Sequence, residues 1–126
     1  ASYSNYGQSA IAFAAPGGDT PLFGTPAGSA GCLVAGLLRP CYVFDLVFAS
    51  GGYTATGNSY YWVAGTSMAA PHVSGVAALI IAKHGGELAP AEVERILRAS
   101  SDDLGKPGVD DAYGSGRVNA ARAVTY

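Results

Sequence analysis

Apolar positions fall into two rhythms along this chain. Tyr60-Tyr61-Trp62-Val63 is a run of aromatic and β-branched residues and predicts a strand. Directly after it, an apolar segment runs to Ala82 with no breaker after Gly75, which predicts a helix from about Ser67 to His84. Val73, Val76, Leu79, Ile80 and Ile81 spread around its circumference, so it is expected to be buried on most sides. Pro71 is expected in its first turn, Lys83 and His84 complement the dipole at its end, and Gly85-Gly86 stops it. A second helix is predicted from Pro90 to about Ala99. Val93, Ile96 and Leu97 form its apolar stripe, Glu92, Arg95 and Arg98 face water, and Glu94–Arg98 makes an i,i+4 pair. A last helix is expected over 118–124.

The first fifty residues are less regular. Ile11-Ala12-Phe13-Ala14 reads as a short buried strand stopped by Pro16-Gly17-Gly18, and 20–31, rich in Gly, Pro, Ser and Thr, as a loop. Residues 33–38 and 41–49 read as two strands joined at Arg39-Pro40. Tyr42, Phe44, Leu46 and Phe48 would then lie on one face at period two. Such a face needs cover, and an exposed edge there would promote self-association.

Composition narrows the class. The chain has 126 residues and 13% charged residues, about half the usual quarter, with 18 glycines, which suits one tightly packed body. No Asp, Glu, Lys or Arg occurs from Leu46 to Ala82, so that stretch is expected to be largely buried. The net charge is −2 and the seven basic residues form no stripe, which argues against a nucleic-acid partner. The most hydrophobic segment, Leu33 to Phe48, is interrupted by Arg39-Pro40 and Asp45, which argues against a membrane span. The N-terminus carries no signal-peptide pattern and no Met, as expected of a cut precursor or a trimmed chain.

Candidate chemistry centres on Ser67, at the predicted strand-to-helix turn. Helix N-terminal N–H groups favour developing negative charge, so a serine there is a candidate nucleophile whose own N–H can serve as an oxyanion donor. A Gly-Thr-Ser turn alone would read as an ordinary helix cap. The full run Gly65-Thr66-Ser67-Met68-Ala69-Ala70-Pro71-His72-Val73-Ser74-Gly75 closely resembles the active-site serine signature of the subtilisin-like serine proteases. Ser4-Asn5-Tyr6-Gly7 with Ala15-Pro16-Gly17 resembles the family's stretch upstream of that serine, and Tyr113 to Ala120 its closing segment. The resemblance covers most of the chain outside about 20–57.

The resemblance implies an α/β fold: the C-terminal portion of a subtilisin-like fold, a parallel sheet flanked by helices, incomplete in this chain. Residues 1–126 would form one partial peptidase domain with an insertion at about 32–50, and Ile11–Ala14 would belong to the central sheet. It implies Ser67 as catalytic nucleophile, Thr66 and Ser67 as oxyanion donors, a polypeptide substrate and a secreted location. No cofactor would be required for the chemistry, although family members often carry structural calcium. Cys32 and Cys41 flank the insertion. They are either a disulfide, which the extracellular setting favours and whose loop closure would be worth roughly 2.7 kcal/mol, or two inert buried thiols. No metal site is assigned: the cysteine spacing does not resemble zinc ligation, and Asp102-Asp103 with Asp110-Asp111 matches no calcium loop, so a solvated turn is the reading adopted.

A serine needs a base within hydrogen-bond reach. His72 lies five residues on, about 140° round the helix axis, and His84 seventeen residues on, about 25 Å along it. His72 is expected to be a packed, hydrogen-bonded side chain and His84 a helix-end charge. Lys83 is nearly as distant. The α/β-hydrolase order also fails, because no histidine follows the downstream aspartates and Ala69 replaces the second Gly of its elbow. In the subtilisin-like order Asp and His precede Ser, so the Asp, the His and the oxyanion Asn are expected upstream of Ala1. The reading is therefore a serine endopeptidase as parent, with this chain inactive alone. The alternative is a non-catalytic folding or association module.

Overall fold

The computed structural model describes the backbone of residues 1–126 and every side chain but those of Tyr53 and Thr54. It divides into two compact units, Ala1–Ser4 with Pro16–Met68, and Asn5–Ala15 with Ala69–Tyr126. It is a mixed helix and strand piece.

The first unit is built from short elements. Helix α1 (Pro26–Ser29) is a single turn inside the segment expected to be loop. Thr25 caps it, accepting from the Gly28 amide at 3.0 Å, and Pro26 opens it with a preset φ. Strands β1 (Gly31–Val34) and β2 (Leu37–Pro40) pair antiparallel, with Leu33 opposite Leu38 and Val34 opposite Leu37. The chain therefore reverses at Ala35-Gly36, and Arg39-Pro40, the expected joint, lies inside β2. Both turn residues have positive φ, 50° and 80°, the geometry whose twist suits a two-residue hairpin. Cys32 and Cys41 are joined by a disulfide at the base of this hairpin.

A 3-10 helix, Cys41–Asp45, follows in place of the expected second strand. Tyr42 and Phe44 thus do not share a strand face with Leu46 and Phe48. Tyr42 packs edge-on against Phe23, while Phe44 and Phe48 both meet Trp62. Strands β3 (Val47–Thr54) and β4 (Gly57–Val63) form a second antiparallel pair, with Val47 opposite Val63 and Phe48 opposite Trp62, and an irregularity between Ser50 and Tyr53. A two-stranded ribbon covers neither of its own faces. Phe48, Tyr60 and Tyr61 are exposed, so the uncharged stretch 46–82 is not the buried segment its composition suggests.

The second unit holds the core. Helix α2 (Thr66–Lys83) begins in the first unit and enters this one at Ala69. Helix α3 (Pro90–Ser100) starts with Pro at its first position. Its stripe Val93, Ile96 and Leu97 is buried with Val76 and Ile80 of α2 and with Ala123 of α4 (Ala120–Thr125). Each fully buried isoleucine contributes about 2 kcal/mol relative to exposure. Contrary to expectation, α2 is buried along one stripe only. Of its residues just Val76 and Ile80 are fully enclosed, and Ala70, His72, Gly75, Ala78 and Leu79 face outward. Pro71 lies inside the helix, past its first turn, so the amide that would bond the Ser67 carbonyl is missing.

Ile11–Ala14 forms no regular strand. The parallel pairing consists of one bridge, in which the Ala14 amide donates to Gly116 O and the Val118 amide to Ala14 O, both at 3.0 Å. Gly114 and Gly116, both at positive φ, turn the partner segment away before a ladder can extend. Val118 stays outside the helix, and α4 starts two residues later than expected, capped by Asn119 in extended backbone.

Candidate active site

Ser67 is the second residue of α2. Two residues, Ala64 and Gly65, separate this helix from β4, and Gly65 adopts φ 148°, so the chain swings from strand into helix within one short link. The Gly65 amide donates to Gly17 O at 2.7 Å, and its carbonyl accepts from the Met68 amide at 2.9 Å. The Tyr3 hydroxyl donates to Gly17 O at 3.1 Å and also meets Gly18 O. These residues belong to one unit and tie the serine turn to the Gly17-Gly18 corner.

Thr66 and Ser67 are both exposed at the positive end of an 18-residue helix. Amides of a first helical turn have no intrahelical acceptor and point outward, so this end suits a developing oxyanion. The site thus combines an accessible hydroxyl with a local field that stabilises negative charge.

A base does not accompany them on the helix. His72 follows Ser67 by five residues of α2, about 140° round the axis. Its side chain is exposed rather than packed, because the α2 face that carries it is open. The ring Nδ1 of His84, one residue past the helix, lies 2.9 Å from Ile80 O. It closes the C-terminal end, about 25 Å along the axis from Ser67.

The acidic turn is bound up in protein contacts. Asp110 accepts from the amides of Tyr113 (2.7 Å), Ala112 (2.9 Å) and Lys106 (3.2 Å), and these bonds, led by Tyr113, hold its carboxyl below the usual range. Asp103 accepts from the Gly108 amide and Asp111 from the Gln8 amide. Among the described residues no group of three or more His, Cys, Asp or Glu could hold a metal ion. Nor is any described helix long and apolar enough to cross a membrane. The Cys32–Cys41 bridge belongs to the β1–β2 hairpin, and nothing at the β4–α2 turn involves it.

The supporting corner is what sequence reasoning misses. Pro16-Gly17-Gly18 signals only a stop, and nothing in the pattern shows that the Tyr3 hydroxyl reaches back to it.

Comparison with known proteins gives the family. Residues 1–116 match the model of the subtilase family. A thermophilic serine proteinase of a Bacillus species is 38% identical over 73 residues, covering 58% of this chain and 17% of that protein. Halolysin of Haloferax mediterranei is 46% identical over 70 residues, covering 56% of this chain and 13% of halolysin. Among solved structures, a lanthipeptide protease superposes with a TM-score of 0.73 at 35% identity, covering 99% of this chain and 38% of that one. The chain therefore spans well under half the length of these relatives. With the family match extending over most of its length, the chain belongs to the subtilase family.

Proposed function

We propose that residues 1–126 are the serine-bearing, C-terminal part of the peptidase domain of a secreted subtilisin-like endopeptidase, with an insertion at about 32–50. The observation that carries this reading is the exposed Ser67 at the N-terminus of α2, in a turn fastened by the Gly65–Gly17 hydrogen bond. The Ser67 hydroxyl loses its proton to a base as its oxygen bonds to a peptide carbonyl carbon. The resulting oxyanion is met by the Ser67 amide and the Thr66 hydroxyl. Collapse expels the amine, which takes the proton, and leaves an ester at Ser67. Water then hydrolyses the ester and restores the hydroxyl. Every group in this sequence is a side chain or backbone amide, so the chemistry calls for no cofactor.

The base, its orienting Asp and an oxyanion Asn come from a segment upstream in the family order, since neither histidine of this chain is within reach of Ser67. In a subtilisin, losing the serine or its histidine costs about 2 × 10⁶ in turnover, so these residues alone are expected to be inactive. The secreted assignment rests on relatives named as extracellular proteases in Serratia marcescens and Xanthomonas campestris.

A second reading, an association module, is favoured by one feature. Leu33, Val34, Leu37 and Leu38 of the β1–β2 hairpin are all exposed. Exposed apolar surface of this kind promotes self-association, which sedimentation velocity of residues 1–126 would detect.

Covalent capture by a fluorophosphonate probe tests the first reading, with Ser67→Ala as control. Capture at Ser67 in the complete protein, lost in the variant and absent from residues 1–126 alone, is the expected result. A complete protein that is not captured would overturn it.

A further inference from the structure

We propose that Tyr3 is a positioning residue for the nucleophile, its hydroxyl fixing the Gly17-Gly18 corner on which the Ser67 turn hangs. This rests on Ser67 being the nucleophile, and it adds a residue distant in sequence from the serine motif. Two adjacent glycines have no side chains to hold their peptide planes, and such a corner is intrinsically loose. Here both carbonyls converge on one phenol: Gly17 O accepts from Tyr3 at 3.1 Å, and Gly18 O meets the same hydroxyl. Gly17 O has a second lone pair, and it takes the Gly65 amide at 2.7 Å.

The corner also lies close against the turn, with no room for a side chain at Gly18. Gly18 adopts φ +75°, and a Cβ built there would lie 2.9 Å from Val63 O and 3.1 Å from the Ala64 Cβ. The link between β4 and α2 thus runs close past Gly18 at Val63-Ala64 and is held at Gly65 by a hydrogen bond. Thr66 and Ser67 follow immediately, so the direction of the first turn of α2 is inherited from this hold. Small displacements of a reacting group cost rate steeply, about 10²-fold for 1 Å. Tyr3 touches no reacting atom, and its influence passes through Gly17 and Gly65.

Tyr3→Phe removes the hydroxyl and keeps the ring. In the complete protein, exchange of the Gly65 amide is expected to quicken about fivefold, the size of one net hydrogen bond, while the Ile96 and Leu97 amides keep their protection. Capture of Ser67 is expected to slow by a similar factor in the maximal inactivation rate, with probe affinity unchanged. A purely structural role would instead loosen all these amides together and leave the rate per folded molecule intact. Unchanged exchange at Gly65, or an unchanged inactivation rate, would overturn the proposal. Should the unsubstituted protein not be captured at all, the function proposed above fails, and unchanged or quickened exchange at Gly65 still decides whether Tyr3 holds the corner.

Discussion

Asn119 binds Asp102 while capping a helix: its Nδ2 donates to Asp102 Oδ1, and its own Oδ1 accepts from the Arg122 amide, each at 3.0 Å. With Arg117 and Arg122 also on this carboxylate, the Asn119 bond first among them, the Asp102 carboxyl is held below its usual range. Asn119→Ala removes both bonds. A loss of about 1–2 kcal/mol is expected from the cap alone, read from urea denaturation. Arg117→Ala should change stability by less than about 1 kcal/mol, because its side chain is mostly exposed.

Acid should weaken the second unit through Asp110. Its folded-state carboxyl is depressed by three backbone amides, so the stabilisation is complete above the unfolded-state value and is lost as pH falls through the folded-state one. The denaturation midpoint of the protein should therefore decline on acidification below the ordinary aspartate range. Asp110→Asn should flatten that decline. An undiminished slope in the variant would contradict the assignment.

The core predicts a contrast between neighbours on α2. Ile80 is fully buried and Leu79 is 48% exposed. Ile80→Ala should cost about 2–5 kcal/mol by thermal or urea unfolding. Leu79→Ala should cost well under half of that. Equal losses would mean that α2 is covered on its outer face.

Gly18→Ala challenges the serine turn from behind. A Cβ at that position meets the Val63 carbonyl, and the left-handed backbone adds strain of about 1–3 kcal/mol. Slower probe capture at Ser67 is expected, together with a lower melting temperature. Unaltered capture would show that the turn does not depend on the corner.

How much of this is legible in the sequence depends on whether a residue's role is set locally. Helix α3 is readable because its stripe, its opening proline and its Glu94–Arg98 pair all lie within one continuous segment. The Ser67 turn is readable for the same reason: an aromatic strand meets a long apolar helix. Helix α1 carries a local signal too, Thr25 before Pro26, but its Gly- and Ser-rich surroundings read as loop. The hairpin reverses at Ala35-Gly36 against the pull of Arg39-Pro40, because a non-glycine residue at positive φ carries no advance mark. Absence of charge in 46–82 says what water tolerates poorly, and does not say what covers it. The Tyr3–Gly17–Gly65 linkage joins three separate stretches, so no window of sequence contains it.

The Cys32–Cys41 bridge has a consequence for limited proteolysis of this chain. Leu33 to Arg39, the tip of the hairpin, is exposed throughout and lies wholly between the two cysteines. A backbone cut anywhere in that tip would leave both products covalently tethered. Such a nicked molecule would migrate as one intact band on a gel until thiol was added, and only then separate into two.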